Sequence, residues 1–239
     1  MNTIKIDKKQ TLLIAHRGLS GIEKENTNSA FVAAGNRSYF GIETDIHNTI
    51  DGRFVISHDN SLERVSGEKL NVEDVSLAVS QSIILKDKDG SRDRIDLRPP
   101  TLEDYIKICK RYEKKCILEL KSPFKLTEIK KIIKTINSFD YLENVIFISF
   151  NYKNLQKIRK LLPNQAAQYL FYEFTDKIIE DLVKDKIDVD VYHPNLNKET
   201  IEKLHGLGLK VNCWTVDEKA RADELISWGI DFITTNILE

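Results

Sequence analysis

Eight short apolar runs alternate with longer amphipathic segments along this chain, and this alternation restricts the possible folds more than any other feature. The runs predict strands over residues 12–15, 41–46, 116–120, 145–149, 167–171, 188–192, 210–214 and 231–234. These runs are short and rich in Val and Ile, which is typical of parallel strands that are covered on both faces.

The segments between most of these strands have the apolar spacing of helices. Helices are predicted over residues 102–112, 126–136, 155–162, 177–184, 198–204 and 218–228. Thr101 and Asp104 form a variant capping box, and Asn197 and Asp217 have the side chains of N-caps. Strands that alternate with helices predict a (β/α)8 TIM barrel, with an open doubly wound parallel sheet as the alternative.

The alternation of strands and helices is interrupted after the second predicted strand. A turn sequence at residues 48–52 precedes a predicted extra strand over residues 54–57, and a polar stretch with little periodicity follows to about residue 100. We therefore expect one TIM-barrel domain over residues 1–239, with a small insertion over about residues 53–100. Insertions on the loop side of a barrel are common places for lids or specificity elements.

The charge balance of the chain favours small-molecule chemistry. Its 36 basic and 37 acidic side chains give a net charge of -1, so no overall field attracts nucleic acid or an anionic membrane. No apolar run is long enough for a transmembrane segment, and the first residues lack the apolar core of a secretion signal. Three scattered cysteines in apolar surroundings indicate reduced core residues, so we expect a cytoplasmic protein.

Chemically active side chains stand near the carboxyl ends of the predicted strands, where TIM barrels place their active sites. Residues two apart on a strand share one face. Glu43 and Asp45 therefore point the same way, as do Glu119 and Lys121. The set at or near these strand ends is His16, Glu43, Asp45, Glu119, Lys121 and Trp214.

The three acids of this set offer only oxygen ligands. Carboxylates suit Mg²⁺, Ca²⁺ or Mn²⁺ better than Zn²⁺. A group formed by Glu43, Asp45 and Glu119 would resist ionisation unless a cation compensated it. One divalent cation, Mg²⁺ or Ca²⁺ with Mn²⁺ possible as well, is one solution. Ion pairs with Arg17 and Lys121 are the other solution.

Two histidines in short polar motifs, His16-Arg17-Gly18 and His58-Asp59, are candidates for acid–base catalysis because imidazole titrates near neutral pH. One would activate a nucleophile and the other would protonate a leaving oxygen. The remaining histidines lack this pattern and are expected to be structural or at the surface: His47, His193 and His205.

Four residues, some of them already named, have side chains that suit the binding of a phosphate ester. Arg17 can hold phosphate oxygens through its planar guanidinium group, and Lys121 can add a second positive charge unless it only balances Glu119. Phe150 and Trp214 can form apolar walls of the site or belong to the core.

The motifs, taken in order, resemble those of the glycerophosphodiester phosphodiesterase family. The matching segments are Ala15-His16-Arg17-Gly18, Glu25-Asn26-Thr27, Gly41-Ile42-Glu43-Thr44-Asp45, Val55-Ile56-Ser57-His58-Asp59, Leu118-Glu119-Leu120-Lys121 and Trp214-Thr215-Val216. The resemblance covers roughly residues 11 to 236, with a poor match in the insertion and Arg64-Val65-Ser66 where the family often has an Arg followed by two threonines.

The resemblance implies a metal-dependent barrel that hydrolyses glycerophosphodiesters to glycerol 3-phosphate and an alcohol. By position, His16 and His58 would be the acid–base pair, and Glu43, Asp45 and Glu119 the metal ligands. Arg17, Lys121, Phe150 and Trp214 would bind the substrate. In similar enzymes the glycerol 2-hydroxyl attacks first and forms a cyclic phosphate, which water then opens.

Three other functions remain open from the sequence. A related lysophospholipase D-like or cyclising lyase activity on lipid phosphodiesters would favour an apolar rim on the insertion. A Schiff-base aldolase would use Lys121, but nearby acids oppose the lowered pKa that it needs. A catalytically silent binding barrel would have no physical reason to keep an uncompensated acid cluster.

Overall fold

Parallel strands close into a cylinder in the computed structural model, which describes residues 2–239. The strands are β1 Leu12–Ala15, β2 Gly41–Asn48, β3 Phe54–Ile56, β4 Lys115–Leu120, β5 Val145–Ser149, β6 Ala167–Phe171, β7 Asp188–Tyr192, β8 Val211–Trp214 and β9 Phe232–Thr235. Their order is β1-β9-β8-β7-β6-β5-β4-β2, and β1 also pairs with β2. The predicted barrel is confirmed and the open sheet is wrong, because the end strands β1 and β2 are hydrogen-bonded to each other.

Helices cover the outside of the cylinder and connect its strands. They are α1 Asn28–Gly35, α2 Glu63–Ser66, α3 Leu77–Ser82, α4 Leu102–Arg111, α5 Leu126–Asn137, α6 Tyr152–Leu161, α7 Asp176–Asp185, α8 Lys198–Gly206 and α9 Lys219–Ser227. The six predicted helices are confirmed as α4 to α9, with ends shifted by up to three residues. Over residues 2–239, none of the helices has the length and apolar character of a membrane span.

Helix α1, which connects β1 to β2, was not predicted from the sequence. This helix begins after Thr27, whose hydroxyl accepts a hydrogen bond from the Ala30 N–H at 3.2 Å. Most of its residues are small or apolar, so its buried face does not stand out from the rest. The helical period was therefore hidden by a nearly uniform apolar composition.

Asp217 is not the N-cap of α9, contrary to the prediction. Helix α9 begins one residue later, after Glu218. The Asp217 carboxylate instead accepts hydrogen bonds from the Thr235 hydroxyl at 3.0 Å and from the Asn236 N–H at 2.7 Å. It therefore ties the β8–α9 loop to the residues that follow β9.

Two apolar layers lie on opposite sides of the barrel wall. A large layer packs the helices against the outside of the strands. A smaller cluster fills the interior with Ile14, Ile117, Ile146, Ile148, Leu170 and Phe232, against which Phe40 and Trp214 pack. The barrel interior is therefore a packed core, and its free space lies at the carboxyl ends of the strands.

The segment predicted as an insertion starts with an extension of the sheet. β2 continues past Ile46 and pairs antiparallel with β3, in register Ile46 with Ile56. The Ser57 N–H then donates to the Asp45 carbonyl at 3.2 Å. This hairpin returns the chain to the barrel mouth and places His58 beside Asp45. Beyond it, a 3-10 turn at Val72–Asp74 and α3 occupy the stretch of weak periodicity.

The turn that leaves β1 depends on Gly18. Its φ is +76°, and its N–H donates to the Glu43 carbonyl at 3.2 Å. A methyl group at this position would meet the Ala30 carbonyl carbon at 2.7 Å. We expect Gly18→Ala to destabilise the fold by about 1–3 kcal/mol, from backbone strain and the clash with α1. That loss should lower the thermal midpoint by about 2–4 °C per kcal/mol, measured by calorimetry.

Gly90→Ala is the matched control for this prediction. Gly90 has a φ of +88°, and within the described part of the chain no atom lies within 4 Å of an added methyl group. It therefore reports the backbone strain alone. Equal midpoint shifts in the two variants would show that the contact with Ala30 has no effect.

Candidate active site

Seven of the nine predicted site residues line one cavity of about 150 Å³ at the carboxyl ends of the strands. These seven are His16, Arg17, Glu43, His58, Glu119, Phe150 and Trp214. The other two, Asp45 and Lys121, contact this group directly. The structure therefore brings all nine residues together.

The three predicted acids form one cluster because of the strand register. Asp45 of β2 lies directly opposite Glu119 of β4, and Glu43 precedes Asp45 by two residues on the same face. Carboxylate oxygens of the three residues lie within 4.8 Å of one another. All three side chains are buried.

Burial and mutual repulsion act differently on these acids. Burial and the charge of Asp45 raise the pKa of Glu43 well above its usual value and that of Glu119 to about 8. Burial also opposes the ionisation of Asp45, but Lys121 and Arg17 outweigh it and hold the pKa of Asp45 below its usual value. The surroundings of Glu43 and Glu119 therefore favour their protonated forms unless a cation binds.

The two basic residues compensate only part of this acidity. The Lys121 Nζ lies 3.0 Å from Glu119 Oε1 and 3.5 Å from Asp45 Oδ1. The backbone N–H of Arg17 donates to Glu43 Oε2 at 2.8 Å, and its Nε lies 3.9 Å from Asp45 Oδ2. The ion pairs considered from the sequence therefore exist alongside the acid cluster.

The cluster fits a divalent cation in its donor chemistry. Among the described residues, Asp45 Oδ1 is buried without a hydrogen-bond partner, and its ion pair with the Lys121 Nζ is long, at 3.5 Å. A buried carboxylate oxygen in that state is unusual in proteins. Three oxygen donors at such short separations suit a hard ion such as Mg²⁺ or Ca²⁺. The residues Glu43, Asp45 and Glu119 could therefore hold a cation.

His16 is held in one tautomer by a chain of hydrogen bonds. Its Nδ1 lies 2.8 Å from Asn236 Oδ1. The orientation of that amide is determined by Asp217, whose Oδ2 accepts from the Asn236 amide nitrogen at 2.6 Å. The Nδ1 of His16 therefore carries the hydrogen, and Nε2 keeps its lone pair. Burial and the charge of Arg17 lower the pKa of His16 to about 4, so the ring is neutral.

His58 has a carboxylate partner instead of an amide. Its Nδ1 lies 2.7 Å from Asp59 Oδ1, and the Arg64 Nε donates to Asp59 Oδ2 at 2.6 Å. Burial, with the charges of Arg17 and Lys121, lowers the pKa of His58 below its usual value, although the charge of Asp45 and the hydrogen bond to Asp59 act in the other direction. The surroundings of His58 thus favour its protonated form more than those of His16 do.

Glu25 connects the surroundings of the two histidines. Two guanidinium nitrogens of Arg64 donate to its carboxylate, each at 2.8 Å. The Arg17 Nη1 donates to the same carboxylate at 2.8 Å. Glu25 therefore orients the guanidinium group of Arg17, and through Arg64 it is linked to Asp59.

Five of these supporting residues received no chemical role from the sequence: Glu25, Asp59, Arg64, Asp217 and Asn236. The pair His58-Asp59 was a visible signal, because a carboxylate next to a histidine can orient the ring. Glu25 and Arg64 are 39 positions apart in the sequence, and His16 and Asn236 are 220 positions apart. No local pattern indicates such pairs.

Aromatic rings form one side of the cavity mouth. Phe150 and Trp214 lie with their ring centroids 5.5 Å apart, as the predicted apolar wall requires. Tyr172 joins them at 5.6 Å from Phe150 and 5.2 Å from Trp214, and Tyr192 lies 5.5 Å from Trp214. The sequence did not indicate the two tyrosines. Together the four rings form a partly exposed rim.

The three remaining histidines lie outside the cavity lining. His47 is buried, and its Nδ1 lies 2.8 Å from Glu73 in the predicted insertion. His205 is at the surface beside Asp231, at 2.8 Å. The expectation that these residues are structural or at the surface agrees with both contacts.

Comparison with known families gives one match over most of the chain. Residues 16–239 match the model of the glycerophosphoryl diester phosphodiesterase family. A glycerophosphodiester phosphodiesterase of Caldanaerobacter subterraneus subsp. tengcongensis is 30% identical over 230 residues, which are 95% of this chain and 94% of that protein.

Two further relatives are informative. One solved structure is that of an Oleispira antarctica phosphodiesterase in complex with the product sn-glycerol-3-phosphate. It superposes on this chain with a TM-score of 0.83 and is 23% identical, over 95% of this chain and 93% of the other. This similarity shows that the two proteins share a fold. A human lysophospholipase D is 41% identical over 71 residues, 28% of this chain and 23% of that protein.

Proposed function

This chain belongs to the glycerophosphoryl diester phosphodiesterase family, and on that basis we propose that it hydrolyses glycerophosphodiesters to glycerol 3-phosphate and an alcohol by histidine acid–base catalysis. The observation that carries the proposal is the presence of His16 and His58 in one cavity with Glu43, Glu119 and Arg17. A diester needs a base for the nucleophile, an acid for the leaving oxygen and positive charge for the phosphate.

Glu43, Asp45 and Glu119 would hold one divalent cation, Mg²⁺ or Ca²⁺, with Mn²⁺ also compatible with oxygen ligands. When bound, such an ion polarises a phosphoryl oxygen and stabilises the negative charge of the transition state. Arg17 and Lys121 would add positive charge from the protein itself. The Glu25 contact holds the Arg17 guanidinium group in place for this purpose.

The hydrogen bonds of the histidines suggest separate roles for them. The neutral His16 ring, with its lone pair on Nε2, would take the proton of the glycerol 2-hydroxyl as that oxygen attacks phosphorus. His58, whose imidazolium form is stabilised by Asp59, would protonate the departing alcohol. The bond from phosphorus to the alcohol oxygen breaks as the cyclic phosphate forms. Water then opens this ring, with the two histidines in exchanged roles.

Phe150 and Trp214 would contact the carbon atoms of the substrate. Their rings line the cavity beside Ile148 and Leu170, so much of its wall away from the acid cluster is apolar. This division of the cavity suits a substrate with a charged phosphate and a short carbon chain.

A lysophospholipase D-like activity is the second candidate. The local match to a human lysophospholipase D favours it, as does the rim, where Tyr172 is 55% exposed and Phe150 is 40% exposed. A rim of this kind could contact an acyl chain outside the cavity. This candidate differs from the first in the substrate, not in the acid–base groups.

The proposed function is tested by a panel assay for glycerol 3-phosphate. Glycerophosphocholine, -ethanolamine, -inositol and -glycerol are each incubated with the protein, with and without EDTA, and 1-acyl-glycerophosphocholine is assayed for choline release. We expect release of glycerol 3-phosphate, loss of that activity in EDTA and recovery when Mg²⁺ or Ca²⁺ is added in excess. Release of choline from the acyl substrate alone would favour the second candidate. Activity that persists in EDTA would contradict the role of the cation.

A further inference from the structure

A fourth buried carboxyl group lies in the same cavity, and neither the acid–base pair nor the proposed cation ligands include it. Asp190 is only 1% exposed and lies in the middle of β7, opposite Leu170 of β6 and Asn212 of β8. It lines the cavity together with His16 and Glu119. The next residue on that face, Tyr192, belongs to the rim, so Asp190 lies one level below the mouth.

Within residues 2–239, the Oδ1 of Asp190 is buried without a hydrogen-bond partner. Buried polar atoms in folded proteins nearly always have a partner, so an unpaired one beside a cavity indicates a ligand contact. Burial and the charge of Glu119 raise the pKa of Asp190 well above its usual value, against the opposing effect of the Asn212 side chain, so the neutral form of the carboxyl group is favoured. A neutral carboxyl group both donates and accepts a hydrogen bond, as a hydroxyl group does.

The space next to Asp190 is small and closed below. Ile148 and Leu170 line it, and the barrel interior contains further apolar side chains, including the rings of Phe40 and Phe232 with centroids 5.8 Å apart. The whole cavity, from the charged residues to this floor, has a volume of about 150 Å³, which is the size of a cavity that holds one small molecule. It therefore suits a small polyol better than an acyl chain.

We propose that Asp190 binds the terminal hydroxyl of the substrate's glycerol group and so selects deacylated glycerophosphodiesters. The inference rests on the proposed function. The leaving alcohol must depart toward solvent past the aromatic rim, so the glycerol group is the part that enters the cavity. Its 2-hydroxyl is used in the reaction, which leaves the terminal hydroxyl for Asp190. An acyl ester at that oxygen removes the hydrogen and adds a chain for which the closed floor leaves no space.

Steady-state kinetics on three substrates test this role. They are sn-glycero-3-phosphocholine, the analogue that carries propane-1,2-diol in place of glycerol, and 1-acyl-glycerophosphocholine. All retain the attacking 2-hydroxyl, and only the first has a free terminal hydroxyl. We expect the wild-type kcat/KM for the first to exceed that for the other two by at least about 100-fold, because a site built around a hydroxyl rejects analogues that lack it.

The variant Asp190→Val should bring the ratio between the first two substrates to within a few-fold of one, because it removes the group that recognises the hydroxyl. Asp190→Asn should keep much of the ratio, since an amide also donates and accepts. Asp188→Val is the matched control, with the same change on the same strand at its other end. It should keep the wild-type ratio. A purely structural role of Asp190 would change stability without changing this ratio.

The outcomes separate this proposal from the proposed function. If the wild-type protein releases no glycerol 3-phosphate from any diester, both are wrong. If it does, but turns over the propanediol or acyl substrate equally well, only the role of Asp190 is wrong. Where the Val variant fails to fold, Asp190→Ala, which also removes the carboxyl group, takes its place, and a wild-type ratio in that variant contradicts the role of Asp190.

Discussion

His58→Ala is expected to lower turnover of glycerophosphocholine by about 10²–10⁴-fold, the usual contribution of a general acid or base. The loss should be much smaller for the first step on glycerol 3-(p-nitrophenyl phosphate), measured as p-nitrophenol release in a single turnover. Its leaving group departs as a stable phenolate and does not need the proton that His58 donates. Rates on both substrates, measured with saturating cation, give the comparison directly.

His16→Ala should lose a similar factor on both substrates. The 2-hydroxyl must be deprotonated whatever leaving group departs, and the neutral His16 ring is the group placed to accept that proton. His205→Ala is the control, because it removes an imidazole from the surface, outside the cavity. It should leave turnover of both substrates unchanged. If His16→Ala alone recovered on the activated substrate, the two assignments would have to be exchanged. Near-normal rates in both variants would remove the acid–base pair from the mechanism.

Glu43→Gln is expected to weaken binding of Mg²⁺ or Ca²⁺ by more than about 100-fold. Removal of a residue that only hydrogen-bonds to a metal ligand typically lowers the metal affinity by about 10–100-fold, and Glu43 would be a direct ligand. Burial and Asp45 raise the pKa of Glu43 and so favour its protonated form, and a bound cation is expected to displace that proton. Calorimetric titration in buffers of different ionisation enthalpy measures the affinity for the cation and the number of protons released when it binds. The variant should release one proton fewer per cation than the wild type.

The pH dependence of binding follows from the same groups. Glu119, with a pKa raised to about 8 by burial and by Asp45, also loses its proton to a cation. Affinity should therefore increase as pH rises toward 8 and decrease in acid, where Glu43 and Glu119 are protonated. Asp190→Asn changes a buried acid outside the three-carboxylate cluster and should keep the wild-type proton release. Unchanged affinity and proton release in Glu43→Gln would exclude Glu43 as a ligand.

The strands could be predicted from the sequence because each one carries its own signal. Runs such as 145–149, which is Val-Ile-Phe-Ile-Ser, are apolar on both faces, and every predicted barrel strand was found within two residues of its expected ends. Helix α1 was missed because its nearly uniform composition hides its period. Asp217 was misassigned because an acid before a helix is also a typical N-cap, and only its contacts with Thr235 and Asn236 distinguish the two roles.

The nine candidate residues were also accessible from the sequence, because strand-end positions and family motifs both mark them. The distances between these residues could not be predicted from the sequence. That Asp45 and Glu119 lie side by side depends on the register of β2 with β4, two strands separated by 66 residues of chain between Asn48 and Lys115. Sequence alternation indicates which face a side chain occupies, but not which residue it faces on the next strand.

The amino-acid sequence alone determined the type of fold, the polar residues at its strand ends and the chemistry that those residues can support. These properties follow from side-chain periodicity and from functional groups, which are local. Only the tertiary structure determined which histidine nitrogen is free, how Glu25 links Arg17 to Arg64, and that, within residues 2–239, the Oδ1 atom of Asp190 is buried without a hydrogen-bond partner. Such properties depend on burial and on contacts between distant segments, and those arise only when the barrel closes.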